Sequence, residues 1–357
     1  MKKITIKGCG LSGLSAALNL LKSNHDVTIL MNRSTEPGRD VRSFKNYGDN
    51  ADFANSFKSI TGLDMPDFFP VYKMTYCSPG GIKYTLECKD APLFYNIIRG
   101  NGHDSLDDIL LKEAQRLGAK LIYDDHLHDY DIEATGCPEK KIIGVGRHYK
   151  NISLDREYIF QDDLIAPKGY LYLSPYKDEA SLVSVSFDLN KIITQQEVSD
   201  YISHNETLCS LLKGAKQTNY IYGESNFFIP KTAIGLNGAL KVGECAGFQD
   251  AARGFGMHLA LLSGKLAAES IANNRNYDIL WKRQIYRKLF RSFVKRLYFN
   301  SLNNKDYDNI AAKIVKKLGQ TFLVDDYERM RKYNIVQLIK YSALAYLKSR
   351  LWPYNTK

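Results

Sequence analysis

The segment Gly8-Cys9-Gly10-Leu11-Ser12-Gly13 constrains the fold of this chain more than any other, because of what stands on either side of it. Lys3–Lys7 alternates polar and apolar residues and reads as a strand. Leu11–Lys22 carries apolar residues at helical spacing, and Asp26–Met31 reads as a second strand. A glycine turn between a strand and a helix, followed by a second strand, is a βαβ unit. The N-terminus of its helix presents unpaired backbone N–H groups, and the positive end of the helix dipole, to an anion. In that arrangement Gly8 makes the tight turn, Gly10 lets the backbone approach a pyrophosphate, and Gly13 lets the helix pack on the strand. The spacing predicts a dinucleotide site with Gly8, Gly10, Leu11, Ser12 and Gly13 as its cradle.

The rest of the chain alternates between sheet and helix. Residues 32–62 are polar and rich in Gly, Asp and Asn, which predicts loops and a short helix. Runs at 71–77 and 82–88 flank Ser78-Pro79-Gly80-Gly81 and predict a β-hairpin. Residues 105–117 form an amphipathic helix pattern, with Asp104 placed to cap it and Gly118 to end it; 119–123 is the next strand. From about 152 to 222 strand-like runs recur, notably 170–173 and 181–187, with a helix near 195–212. A short strand at 239–242 precedes a glycine-rich turn and a helix over 258–273. Beyond Asn276 the pattern is helical and basic.

Composition narrows the function classes. With 44% hydrophobic and 25% charged residues, the 357-residue chain is an ordinary globular protein. Met1-Lys2-Lys3 leads into a strand rather than an apolar run, which predicts no signal peptide. No stretch of about 20 apolar residues suggests a transmembrane helix. The six cysteines are scattered and form no C-x-x-C pair, which points to a reducing cytoplasm and to neither a zinc site nor a disulfide scaffold. His126 and His128 lack a further ligand cluster, so no metal is expected. The net charge of +10 is concentrated at the end of the chain, where 19 Lys and Arg face 6 Asp and Glu from Arg275 onward. Lys282, Arg283, Arg287, Lys288, Arg291, Lys295 and Arg296 define a basic helix face. It is accounted for by solvation or by contact with anionic lipid at a membrane surface. No recognition motif accompanies the charge, so nucleic acid is not expected as a partner.

Three further segments, in chain order with the first, resemble FAD-dependent oxidoreductases. Leu240-Lys241-Val242-Gly243-Glu244-Cys245-Ala246-Gly247 resembles the second FAD motif of flavin monooxygenases and reductases, usually G-D-A-A-G. The resemblance assigns Glu244 to the ribitol chain, beside Gly243. The turn Arg253-Gly254-Phe255-Gly256-Met257 follows, and the resemblance implies that it lies against the flavin ring. Asp131-Ile132-Glu133-Ala134-Thr135-Gly136 resembles the short strand ending in A-T-G that closes around the dinucleotide. Arg99, Asp104, Leu106 and Gly118-Ala119 resemble the R…D-x-x-L…G-A stretch of the same proteins. The layout is similar to the p-hydroxybenzoate hydroxylase-like superfamily, and within it to the geranylgeranyl reductase family. Lys45-Asn46-Tyr47-Gly48-Asp49 looks like that family's K-x-C-G-E segment near the flavin. The run 167–175, with Tyr170, Tyr172 and Pro175, looks like its Y-x-W-x-F-P segment lining the substrate cavity. Residues 254–269 look like its flavin-side helix.

The resemblance implies an α/β fold: a Rossmann-type FAD-binding domain (1–68, 92–150 and 225–275), an inserted antiparallel β-sheet substrate domain (69–91 and 151–224) and a helical, basic C-terminal tail (276–357). It implies FAD as cofactor, with NAD(P)H or another reductant as electron donor. The activity implied is hydride transfer from reduced flavin to C=C bonds of an isoprenoid or other hydrophobic substrate. A monooxygenase using NAD(P)H and O₂ is the alternative, and a flavin-binding protein without redox catalysis is a third. Departures from the family are specific. Met31 stands where an acidic residue usually binds ribose, which leaves Asn32 and Arg33 as polar candidates. Tyr47 replaces the family cysteine and is a weak candidate for proton donation. Tyr172 and Ser174 replace the tryptophan and phenylalanine of the cavity segment.

Overall fold

The computed structural model describes residues 1–31, 40–44, 53–100, 102–123, 129–136, 139–326, 340–344 and 347. The βαβ opening forms as its pattern requires: strand β1 (Lys3–Lys7), helix α1 (Leu11–Lys22) and strand β2 (Asp26–Met31). Among the described residues five strands make a parallel sheet, in the order Leu240–Lys241, Ile132–Glu133, β1, β2, Lys120–Tyr123. Ile4 and Ile6 of β1 are buried, while the residues between them are less so. Helix α1 is buried nearly all round because the helix Met257–Ala272 packs across it at very short range. A Cβ at Gly264 would stand 2.2 Å from the Ser12 carbonyl oxygen, and Ser15 Oγ donates to Leu261 O at 2.7 Å. Small residues along α1 (Ser12, Gly13, Ser15, Ala16, Ala17) are what permit that approach.

The second layer is an eight-stranded sheet. Its order is Lys216–Ser225, Ile142–Lys150, Glu179–Ser186, Tyr170–Tyr176, Glu157–Phe160, Lys73–Cys77, Lys83–Glu87, Thr321–Leu323. The pairs are antiparallel except Glu157–Phe160 with Lys73–Cys77 and Thr321–Leu323 with Lys83–Glu87. The strand Ile142–Lys150, grouped by sequence with the dinucleotide-binding segments, therefore hydrogen-bonds within the large antiparallel sheet. A three-stranded antiparallel sheet (Asp40–Phe44, Phe94–Arg99, Phe69–Val71) lies against both Tyr170–Tyr176 and Glu179–Ser186.

Four local expectations need correction. Ser105, not Asp104, caps the helix Leu106–Arg116: its hydroxyl accepts from the Asp108 N–H, three residues on, the geometry an N-cap requires. The 32–62 region contains a strand, Asp40–Phe44, as well as the helix Phe53–Thr61. The C-terminal region is not helical throughout, because Thr321–Leu323 joins the large sheet and Phe322 stacks on Tyr84 at 5.8 Å. Arg296 is not on the solvated basic face; it is 2% exposed and points inward.

Candidate functional site

A cavity of about 310 Å³ opens where the N-terminus of α1 and the carboxyl ends of the parallel strands meet the large antiparallel sheet. Its glycines divide by what surrounds them. Gly8 sits at φ +112°, and a Cβ there would lie 2.2 Å from the Ala134 carbonyl oxygen. A Cβ on Gly13 would lie 2.2 Å from the Gly8 carbonyl oxygen. Both are needed for packing. Gly10 is different: its backbone is extended, nothing lies within 4 Å of where a Cβ would be, and it lines the cavity with Leu11 and Ser12. An unfilled space over a helix N-terminus, with no acidic residue in the first turn, fits a bound pyrophosphate.

The other dinucleotide elements converge on the same space. Ala134 and Gly136, from the turn after Ile132–Glu133, line the cavity, while Thr135 turns away to Glu133 Oε1 at 3.3 Å. Gly243 is left-handed at φ +67°, and a Cβ there would meet Ser12 Oγ at 2.6 Å; its N–H donates to Ser263 Oγ at 2.9 Å. Glu244 follows it in a 3₁₀ turn and lines the cavity. Burial raises the Glu244 carboxyl above its ordinary pKa, and the Arg42 and Arg99 guanidiniums oppose that shift. Gly254, Phe255, Gly256 and Met257 line the cavity at the N-terminus of the helix Met257–Ala272. Two side chains fix this turn. Gln249 Nε2 donates to Gly254 O at 2.6 Å, and Asp250 Oδ1 accepts from the Ala252 and Arg253 amides at 2.7 and 2.9 Å. Gln249 Oε1, buried and without a hydrogen-bond partner among the described residues, leaves an acceptor for a bound group.

Arg99 lines the cavity and also forms a two-point ion pair with Asp107, at 2.6 and 2.8 Å. Burial pushes the Asp107 carboxyl up, but Arg99 and the Gly100 amide together outweigh burial and hold it below its ordinary value. Tyr170 and Tyr172 both line the cavity, ring centres 6.1 Å apart, as strand alternation requires. The Tyr170 hydroxyl donates to Arg253 O, and burial raises the pKa of both phenols. Pro175 is not among the lining residues. The strand has carried it beyond the cavity, where its carbonyl accepts from Asn96 Nδ2 at 2.9 Å. Asn32, Arg33, Lys45 and Tyr47 lie outside the described residues. Cys9 and Cys245 are held as thiols by burial, at about 11 and about 12, which agrees with a packing role.

Arg42 and Glu157 line the cavity but carry no motif in the sequence, whereas Arg253 opens the turn 253–257. Arg42 enters from Asp40–Phe44, its Nε 2.6 Å from Asp40 Oδ2. Glu157, 3% exposed, accepts from Ser174 Oγ at 2.8 Å and Asn96 Nδ2 at 3.2 Å. Ser174 thus supports a buried carboxylate where the family pattern has a phenylalanine. Arg253 donates to the Tyr76 hydroxyl at 2.6 Å. The i, i+2 pair Asp40 and Arg42 is the one sequence signal that could have placed Arg42 on a strand face.

No family model matches the chain. A digeranylgeranylglycerophospholipid reductase of Thermoplasma acidophilum is 25% identical over 187 residues, 49% of this chain and 47% of that protein. One from Methanocaldococcus jannaschii is 25% identical over 231 residues, 62% of this chain and 56% of that protein. The chain thus spans about half the length of the curated relatives it matches. Among solved structures, a geranylgeranyl bacteriochlorophyll reductase-like protein from Thermoplasma acidophilum superposes with a TM-score of 0.68 at 18% identity, over 98% of both chains. A flavin-dependent brominase superposes with a TM-score of 0.60 at 14% identity, over 89% of this chain and 94% of that one. The geranylgeranyl bacteriochlorophyll reductase-like structure shares the fold over nearly the whole chain, and the sequence relatives are digeranylgeranylglycerophospholipid reductases, so the chain is similar to geranylgeranyl reductase-like flavoproteins.

Proposed function

We propose that the chain reduces C=C bonds of an isoprenoid chain carried on a lipid, with FAD held between the α1 cradle and the Gly254–Met257 turn. The observation that carries this reading is the two-sided cavity. The glycine-lined cradle with Glu244 faces sheet side chains among which Met74, Phe94, Ile159, Val183, Val185 and Ile221 are apolar, interspersed with Arg42 and Glu157. An alkene chain offers nothing to hydrogen-bond, so a site for it is built from such apolar side chains. When bound, reduced FAD would supply the hydride for one alkene carbon, and a proton from solvent would complete the other.

The chain's own residues do the rest. The N–H groups at the starts of α1 and Met257–Ala272 receive anionic groups. The apolar side chains of the sheet orient the hydrocarbon and keep water from it. Glu157 is committed to Ser174 and Asn96, and Tyr170 to the Arg253 carbonyl, so neither is an open acid in the cavity.

Anaerobic absorption spectroscopy tests the proposal. Protein loaded with FAD and bleached with dithionite should regain its flavin bands on addition of a geranylgeranyl-bearing glycerophospholipid, with a saturated product detected by mass spectrometry. Bleached flavin that recovers only on admitting air sinks the reductase reading and favours the monooxygenase. The lipid substrate also bears on the basic helices. Lys282, Arg283, Arg287, Arg291 and Lys295 are exposed, and no helix among the described residues is long and apolar enough to cross a membrane. We read this face as a contact for anionic membrane surface.

A further inference from the structure

Behind Tyr170 lies a second, much smaller cavity, of about 20 Å³, which shares Tyr170 and Arg253 with the large one. Its lining holds three cationic side chains, Lys168, Arg253 and Arg296, and no carboxylate. Lys168 is balanced by Asp163, 3.3 Å from its ammonium. Arg296 is not balanced in this way. It is 2% exposed and donates to two neutral carbonyls, Ala252 O at 3.3 Å and Lys168 O at 2.6 Å. Its guanidinium lies 4.0 Å from the ring centre of Phe187 and 5.5 Å from that of Phe299. Its Nε has no hydrogen-bond partner among the described residues. Asp250 attracts it from a distance, but forms no ion pair with it and spends Oδ1 on backbone amides. Burial pulls the guanidinium down to about 10, still charged at neutral pH.

A buried cation without a counter-charge is costly, and proteins seldom leave one so. The space beside it exceeds the roughly 10–15 Å³ that a single water needs, so one small ion fits there. We propose that this cavity binds a monatomic anion of chloride size, with Arg296 as its counter-charge. The consequence reaches the large cavity. Arg253 lines both spaces, and its carbonyl holds the Tyr170 hydroxyl. An anion here steadies the turn that leads into Gly254-Phe255-Gly256.

Two measurements on the full chain test this independently of any flavin chemistry. Crystals soaked in sodium bromide should show an anomalous peak between Arg296, Phe299 and Tyr307. Sodium chloride should raise the melting temperature saturably, by roughly 2–4 °C, over sodium gluconate at matched ionic strength, and Arg296→Met should abolish that response. Equal melting in chloride and gluconate overturns the proposal. So does a bromide-soaked crystal with only water in the cavity, and this decides the matter if Arg296→Met fails to fold.

Discussion

The three glycines of the first motif should respond oppositely to the same substitution. In Gly13→Ala the new methyl stands 2.2 Å from the Gly8 carbonyl oxygen and 3.2 Å from Ala134 Cβ. Helix propensity favours alanine by about 1 kcal/mol. A clash with backbone cannot be relieved by a side-chain turn, and overpacking of that kind costs about 1–3 kcal/mol or more. The 2.2 Å contact is over an ångström inside ordinary van der Waals distance, which puts it at the top of that range. The net loss is roughly 2 kcal/mol, enough to lower the melting temperature by about 3 °C in a chain of this length. Gly8→Ala adds a left-handed backbone at φ +112° to a 2.2 Å clash with Ala134 O and should be worse. Gly10→Ala meets nothing within 4 Å and has an extended backbone that any residue adopts. The weaker N-cap is offset by reduced freedom of the unfolded chain, and the apoprotein should stay within about 0.5 kcal/mol of wild type. Its methyl projects where pyrophosphate must approach, so flavin affinity should fall at least about tenfold, which is about 1.4 kcal/mol. Scanning fluorimetry of the apoproteins and flavin absorbance after desalting read the two effects separately. Undiminished flavin binding by Gly10→Ala would falsify the placement of the pyrophosphate, and a Gly13→Ala apoprotein as stable as wild type would refute the packing argument.

Burial lowers His258 to about 3 from its ordinary 6.5. The unfolded chain therefore binds the extra proton between those values, and stability should decline as pH falls below about 6.5, by at most about 1.4 kcal/mol per pH unit from this group; denaturant midpoints of wild type and His258→Gln check it, and parallel slopes would count against the assignment. Asp107 is held below its ordinary value, so the stability it contributes is present above about pH 4 and is lost as pH falls through the folded value. Asp107→Asn should flatten that acid limb and cost roughly 1–3 kcal/mol at neutral pH by leaving Arg99 unpaired; urea melts at neutral pH and at a series of pH values below about 4 measure both, and an unchanged acid limb would discount the ion pair. Arg287→Glu with Arg291→Glu should abolish sedimentation with phosphatidylserine vesicles at low salt while leaving melting temperature unchanged, and binding that survives the double reversal would remove the basic face as the membrane contact.

What could be read from the sequence follows from how local each determinant is. The bounds of β1, α1 and β2 agree with their sequence patterns because alternation, helical spacing and a glycine turn act within a few residues. The cradle glycines were legible for the same reason. The strand Asp40–Phe44 was not, since its polar Asp40 and Arg42 become strand-like only through pairing with Phe94–Arg99, half a hundred residues away. Thr321–Leu323 likewise exists through its pairing with Lys83–Glu87, and nothing near it in the chain announces a strand. Arg296 misled for a related reason. A charge among other charges on an amphipathic helix is ordinarily solvated, and only the docking of that helix against Ala252 and Lys168 carries this one inward. The cavity divides along the same line. Residues that line the cavity with backbone, such as Gly10 and Gly254, belong to motifs, because a close approach restricts residue type at fixed spacing. Arg42 and Glu157 line it through side chains delivered by separate segments, and their placement depends on partners, Asp40 and Ser174, that no motif assigns to them. Substrate choice should reside in that second group. The reductase-like and brominase structures share this fold, and a fold shared by different chemistries leaves the choice of substrate to the side chains it carries.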